Sequence, residues 1–266
     1  MKKLTVGSLF SGIGGLDLGL EQTGRFQVKW QVEIDPYCER VLSLRWPHVA
    51  KHNDVHLVGK HNAAAVDLIC GGFPCQDISN AGRKAGIDGK RSGLWSEYYR
   101  IICELRPRYV LVENVSALLQ RGMERVLGDL ASCGYDAEWQ CLPAAAFGAP
   151  HIRDRVFILA YPTGSQREQV LRTPNRQQDC STLMGWTKKE WCTDWESFDV
   201  ASRHCLMGLW VPQSNVQRVL DGVPSRMDRL RALGNSVVPQ VAQFAGECII
   251  AVEDYQTATV QEGGAA

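Results

Sequence analysis

Val66-Asp67-Leu68-Ile69-Cys70-Gly71-Gly72-Phe73-Pro74-Cys75-Gln76 is an apolar run that empties into a loop punctuated by glycine and proline. Its length and aliphatic content read as a buried strand, and the Gly-Gly-x-Pro stretch ends it. A second apolar run, Tyr109-Val110-Leu111-Val112, stops at Glu113-Asn114-Val115. If both are parallel strands of one sheet, their ends bring the Cys75 thiol and the Glu113 carboxyl to the same edge. A thiol nucleophile beside a carboxyl that can pass a proton suits covalent chemistry on an electron-poor ring.

Working outward, strand-like runs recur at 4–10, 28–34, 66–71, 109–113, 137–142 and 155–160, and Asp54-Val55 is expected near the end of a third strand. Helical periodicity fills the gaps at 14–22, 36–45, 93–105 and 122–132. This alternation predicts an α/β fold with a doubly wound, mostly parallel sheet, whose ligands bind at the carboxyl ends of the strands. From Tyr161 to about Pro224 the rhythm is lost in a Gln-, Thr- and Ser-rich stretch holding Trp186, Trp191, Trp195 and Trp210. That stretch reads as a separate small lobe. A helix-like run resumes through about Val252, and the polar tail from Gln256 to Ala266 is expected to be disordered.

The 266 residues carry 29 Lys and Arg against 29 Asp and Glu, so overall charge makes no case for a nucleic-acid partner. Local charge differs: 83–108 holds seven basic residues against three acidic, and 151–176 holds five arginines against two acids. These are either solvated faces or the basic rim of one cleft. No run approaches a membrane span, and Met1-Lys2-Lys3 leads directly into a strand without a secretory segment. The ten cysteines are scattered with no CxxC pair, which predicts free thiols in a reducing cytoplasm. The six histidines show no metal-ligand spacing.

Phe10-Ser11-Gly12-Ile13-Gly14-Gly15 follows a strand and opens a helix, and the next strand ends at Glu33. The loop alone is compatible with a tight turn. Together with an acid placed to accept from ribose hydroxyls, it points to an adenosine-containing cofactor. The Gly-x-Gly-Gly pattern lacks the last glycine of dinucleotide binders, which favours a ligand without pyrophosphate. Asp54 and Val55 offer an edge for the adenine ring. Pro74 restrains the backbone before Cys75. The glycine-rich basic stretch 76–93 reads as a lid that closes over an anionic substrate, or as an ordinary surface loop. Glu113 either caps the following helix or, buried in a cleft, holds a proton near neutrality. His151, Arg153 and Arg155 alternate, so on a strand they share one face.

In order, these segments resemble the cytosine-5 DNA methyltransferases, over roughly 1–160 and 225–252. Phe10–Gly15 is similar to the family's first motif and Val32-Glu33-Ile34-Asp35 to its second. Gly72-Phe73-Pro74-Cys75-Gln76 resembles the Pro-Cys motif, Glu113-Asn114-Val115 the Glu-Asn-Val motif, and His151-Ile152-Arg153-Asp154-Arg155 the Gln-x-Arg-x-Arg motif, with His in place of Gln. Leu233-Gly234-Asn235-Ser236-Val237 resembles the last motif.

The resemblance implies a class I, Rossmann-like methyltransferase domain (1–160 plus 225–255) with a short target-recognition lobe (161–224). It implies methyl transfer from S-adenosylmethionine, leaving S-adenosylhomocysteine, to C5 of cytosine in double-stranded DNA. Cys75 would attack C6, Glu113 would act at N3, and Arg155 with Arg153 would bind the O2 side. Phe10, Ser11, Gly12, Gly14, Gly15, Glu33, Ile34, Asp54, Val55, Pro74, Leu94, Asn235 and Ser236 would hold the cofactor, with no metal. A flipped-out base, a monomeric enzyme in the cytoplasm and a cognate restriction endonuclease belong to the same reading. The alternatives are an RNA substrate, a module that kept the fold without catalysis, and a nicotinamide dehydrogenase.

Overall fold

A computed structural model describes residues 2–74, 94–149, 151–164 and 226–263, with side chains up to Asp254 except at 226, 227, 229 and 230. Cys75, the 76–93 stretch and nearly all of the 161–224 lobe lie outside the described residues.

The strands are β1 (Leu4–Leu9), β2 (Phe26–Val32), β3 (Ala50–His52), β4 (Leu68–Gly72), β5 (Tyr109–Val115), β6 (Tyr135–Pro143) and β7 (Asp154–Pro162). The described helices are α1 (Gly15–Gln22), α2 (Pro36–Arg45), α3 (Leu94–Leu105), α4 (Leu118–Arg121), α5 (Met123–Ser132), α6 (Arg226–Asn235) and α7 (Pro239–Gly263). The sheet runs β3-β2-β1-β4-β5-β7-β6. Pairing is parallel from β3 through β5, and β7 is antiparallel to both β5 and β6. Order and pairing together are those of the class I, Rossmann-like methyltransferase fold.

Each face of the sheet buries its own apolar layer. On one face, Leu9, Trp30, Ile69, Val110 and Val112 pack with Trp95, Tyr98, Ile101 and Ile102 of α3 and with Val126 and Leu130 of α5. The α3 set recurs at helical spacing, which is why that segment reads as an amphipathic helix. On the other face, Val6, Val28, Leu68 and Leu111 meet Leu16 and Leu20 of α1 and Val241, Ala242, Ala245 and Ile249 of α7. The carboxyl-terminal helix is therefore part of the core that supports the first strand and helix. Local signals agree with these choices: Pro36 starts α2, and the Asp35 side chain caps it by accepting from Tyr37 and Cys38 amides.

Three expectations change. The third strand is only Ala50–His52, and Asp54 lies beyond it as the cap of a 3-10 turn, Val55–Leu57. Helix α7 runs to Gly263, past the boundary expected near Val252 and into the tail expected to be disordered. No glycine or proline interrupts 252–261, so nothing in the chain stops helical hydrogen bonding there. The thiols are not all free. Cys103 of α3 and Cys133 after α5 form a disulfide with Cα atoms 6.0 Å apart, because the two helices pack on one face of the sheet. No described helix is long and apolar enough to cross a membrane.

Ile249, buried against α1, and Arg25, which pairs at the surface with Asp254 at 2.9 Å, should separate core from surface contributions. Ile249→Ala should cost about 2–5 kcal/mol of unfolding free energy in urea titrations. Arg25→Ala should cost less than about 1 kcal/mol. Equal losses would show that α7 does not belong to the folding core.

Candidate functional site

The carboxyl ends of β1, β2, β4 and β5 open on a cavity of about 300 Å³. Phe10, Ser11, Gly12, Gly15, Glu33, Ile34, Asp54, Val55, Pro74, Leu94, Glu113, Arg155, Asn235 and Ser236 all line it. These are residues from the start, middle and end of the chain, collected at one sheet edge by the crossover topology. Among the described residues, two expected site residues are absent from the lining. Gly14 serves as the N-terminal cap of α1 at φ 81°, where any Cβ would strike the Trp46 ring. Arg153 turns elsewhere, as described below.

The loop after β1 is held in an unusual shape. Phe10 and Gly12 have φ of 52° and 55°, left-handed values that Phe rarely adopts. The surrounding bonds enforce them. The Ser11 amide donates to the Val32 carbonyl at 3.0 Å and the Gly14 amide to the Ser11 carbonyl at 2.9 Å. The Gly12 amide donates to Glu33 Oε2 at 2.7 Å, while Glu33 Oε1 accepts from the Asp35 amide at 2.8 Å. Burial raises the Glu33 pKa, and those amide bonds oppose the rise. Glu33 thus builds the loop, and each of its oxygens retains capacity for a second donor. Asp54 accepts from the His56 amide at 2.9 Å, which holds its carboxyl below the usual range. Ile34 is 76% exposed and faces the cavity.

At the other end of the cavity, β4 and β5 run in register with Gly72 beside Glu113. A Cβ at residue 72 would stand 2.5 Å from Glu113 Oε2, so glycine there makes room for the carboxyl. Glu113 is 8% exposed, and its Oε1 lies 2.9 Å from Arg155 Nε. The two influences oppose each other: burial raises the Glu113 pKa and the Arg155 and Arg153 charges lower it, with burial prevailing. Glu113 does not cap the next helix, whose cap position is Ala117. Its neighbour Asn114 donates from Nδ2 to the Phe73 carbonyl at 3.1 Å, fixing the backbone that leads through Pro74 to Cys75.

The expected alternation of His151, Arg153 and Arg155 does not hold. β7 starts only at Asp154, and Arg153 has a φ of 41°. Its guanidinium donates to the carbonyls of Gly234 at 2.8 Å and Ser236 at 2.5 Å, while its charge still reaches Glu113. Arg153 is therefore a clasp on the last motif. His151 Nδ1 is buried without a partner among the described residues, and burial lowers its pKa. The sequence reading also missed Arg231, which lines the cavity and meets Asp35 at 2.5 Å. A basic residue three positions before Gly234 was the available signal. Among the described residues, no group of His, Cys, Asp and Glu is arranged to hold a metal.

Removing the Arg153 clasp should loosen 234–236 without unfolding the sheet. Arg153→Ala should speed hydrogen exchange at the Ser236 and Val237 amides about tenfold, given two charge-assisted bonds on a partly exposed side chain. Unchanged exchange there would mean that the segment is held by α6 and α7 alone.

Comparisons agree with this arrangement. The chain is 39% identical over 165 residues to the Type II methyltransferase M2.BsuMI of Bacillus subtilis, covering 59% of this chain and 42% of that one. It is 31% identical over 209 residues to the Type II methyltransferase M.AquIA of Picosynechococcus, covering 70% and 84%. The crystal structure of a protein described as a DNA modification methyltransferase encoded within an E. coli prophage superposes with a TM-score of 0.53 at 30% identity. That match covers 65% of this chain and 50% of the other. The chain thus spans less than half of the Bacillus relative and half of the prophage protein. The family model of the C-5 cytosine-specific DNA methylases matches residues 4–196, and the chain belongs to that family.

Proposed function

We propose that the chain transfers a methyl group from S-adenosylmethionine to C5 of cytosine in duplex DNA, through a transient bond between Cys75 and C6. The observation that carries this reading is the buried Glu113 carboxyl, paired with Arg155, at the strand end beside the one that leads to Cys75.

The cavity fits the cofactor by its donor set. The left-handed loop at 10–12 exposes backbone to a ligand, Glu33 can accept from ribose hydroxyls, and exposed Ile34 offers an apolar face for adenine. Asp54 and Val55 border the ring's edge, with Pro74, Leu94, Asn235 and Ser236 closing the remainder. When bound, the sulfonium supplies an electrophilic methyl group.

The chain's own residues prepare the acceptor carbon. Glu113 in its protonated form donates to N3 as the Cys75 thiolate adds to C6, so the ring never carries a full negative charge. Arg155 holds Glu113 and faces the O2 side. The electron pair that reaches C5 takes the methyl, and loss of the C5 proton then expels the thiolate. The ring must leave the base stack for this, at a cost of a few kcal/mol. Basic residues in 76–93 are placed in sequence to recover it through phosphate contacts. Residues 161–224 are the candidate target-recognition lobe, and 1–160 with 225–255 the catalytic domain. The Type II names of the relatives point to a restriction endonuclease of matching specificity as a partner.

The test is labelled S-adenosylmethionine with mixed-sequence duplex DNA or tRNA, followed by digestion and detection of 5-methylcytosine. Label in DNA, and a stable adduct at Cys75 with 5-fluorocytosine DNA, are the expected results. Label only in tRNA would move the substrate; absence of label would leave a binding module. Cys75→Ala should abolish transfer. Glu113→Gln should lower kcat about 10²–10⁴-fold. Because the active Glu113 is the protonated form and its pKa is raised, wild-type kcat should fall as pH climbs through that raised value. The Gln variant should lack that decline.

A further inference from the structure

We propose that Asp17 is a positioning residue for the cofactor loop, acting from beneath it through Ser8 and Ser11. The proposal rests on the reading of this cavity as the S-adenosylmethionine site.

Helix α1 lays Leu16, Asp17 and Leu20 against the sheet, and Asp17 is fully buried. Carboxylates rarely occupy such a position without a charged or hydrogen-bonding partner. The sheet beneath it is matched to the acid. Ser8 pairs in register with Gln31 of β2 on one side and with Cys70 of β4 on the other. Ser8, Gln31 and Cys70 are all fully buried. The apolar layer of Val6, Val28 and Leu68 therefore turns polar one step further along the strands, directly below the loop.

This polar floor connects upward. Ser11 donates its hydroxyl to Ser8 Oγ at 2.9 Å, leaving the Ser8 proton available to Asp17. Ser11 lies between the two left-handed residues, Phe10 and Gly12, and lines the cavity. Both Asp17 oxygens and both polar atoms of the Gln31 amide are buried outside full hydrogen-bond geometry, yet Ser8 and Gln31 stand close enough to Asp17 to oppose the effect of burial on its carboxyl. Buried polar groups of this kind are completed by a proton or a held water.

Among the described residues no cation touches Asp17, although Lys51 lies near enough to feel its charge. Glu21, on the same helix, accepts from the Val28 amide and Trp46 Nε1. Lys51 is engaged by the carbonyls of Trp46 and Val49. Burial keeps the Cys70 thiol protonated, and it raises the Asp17 pKa to about 7. A protonated Asp17 both donates and accepts, and so can hold Ser8 and Gln31 together. An ionised one can only accept, and it places a bare charge under the loop.

The sign follows from the upward shift. The arrangement is intact at low pH and is lost as pH rises through about 7. Calorimetric titration of the full chain with S-adenosylmethionine at pH 6 and pH 8 is the experiment. Wild-type affinity should fall several-fold between these values, up to about tenfold per pH unit above the pKa. Asp17→Asn should match wild type at pH 6 within about threefold and lose the pH dependence, since an amide donates without titrating. Asp17→Leu should weaken binding about tenfold, in line with the loss of a buried hydrogen bond. Its kcat at saturating cofactor and its affinity for DNA should be retained, which general destabilisation would not allow. Wild-type affinity in Asp17→Leu, or a flat wild-type pH profile, would overturn the proposal. Should Asp17→Leu fail to fold, Ser8→Ala carries the same test, and wild-type affinity there would overturn it. Wild-type protein that takes up no cofactor at either pH would instead defeat the reading of the cavity.

Discussion

The pairing of β4 with β5 is the constraint on which the site depends. Parallel register sets Gly72 beside Glu113, and the missing side chain at 72 lets the carboxyl lie over the neighbouring strand instead of swinging to solvent. Once there, Glu113 is too buried to ionise easily and too close to Arg155 to stay indifferent to it. Desolvation and the guanidinium act in opposite directions on the same proton. A carboxyl held in that balance keeps its proton to higher pH than a solvated glutamate does.

The opposite end of the cavity uses backbone where this end uses side chains. Left-handed residues at 10 and 12 would relax if left alone. Here amides on both sides of them are taken by Val32 and Glu33, and α1 begins from the same loop. Glu33 binds two backbone amides before any ligand arrives. Its carboxyl thus sets the shape of the loop.

Much of this was legible in the sequence because it depends on local signals. Aliphatic runs marked β1, β2, β4, β5 and β7, and helical periodicity over 14–22, 36–45, 93–105 and 122–132 marked α1, α2, α3 and α5. The carboxyl pairing of Glu113 with the strand before Cys75 also followed from two strand ends. What failed depended on distant partners. Arg153 looked equivalent to Arg155 because alternation assumes an extended chain, and a single left-handed φ at 153 breaks it. Cys103 and Cys133 looked unrelated because 30 residues separate them, although α3 and α5 lie on one face. Nothing in the sequence singled out Asp17. Only its place opposite Ser8 and Gln31 distinguishes it.

The left-handed turn at Arg153 has a further mechanical result. It splits two neighbouring guanidiniums between two ends of the chain: Arg155 takes the carboxyl of β5, and Arg153 takes the carbonyls of Gly234 and Ser236. The last motif returns from far along the sequence, beyond the region that would read the target, so its approach to the cavity cannot be set by local chain geometry. Arg153 supplies that geometry from the rim of β7. Arg231 repeats the device at β2, reaching Asp35 from α6. The segment that completes the cavity is therefore pinned at two points, and at one of them a single residue, Asp154, separates the pinning arginine from the residue that pairs with Glu113. Displacement of the last motif would pull on the start of β7 and hence on Arg155. The cavity wall and the Glu113 carboxyl are positioned through the same short stretch of backbone.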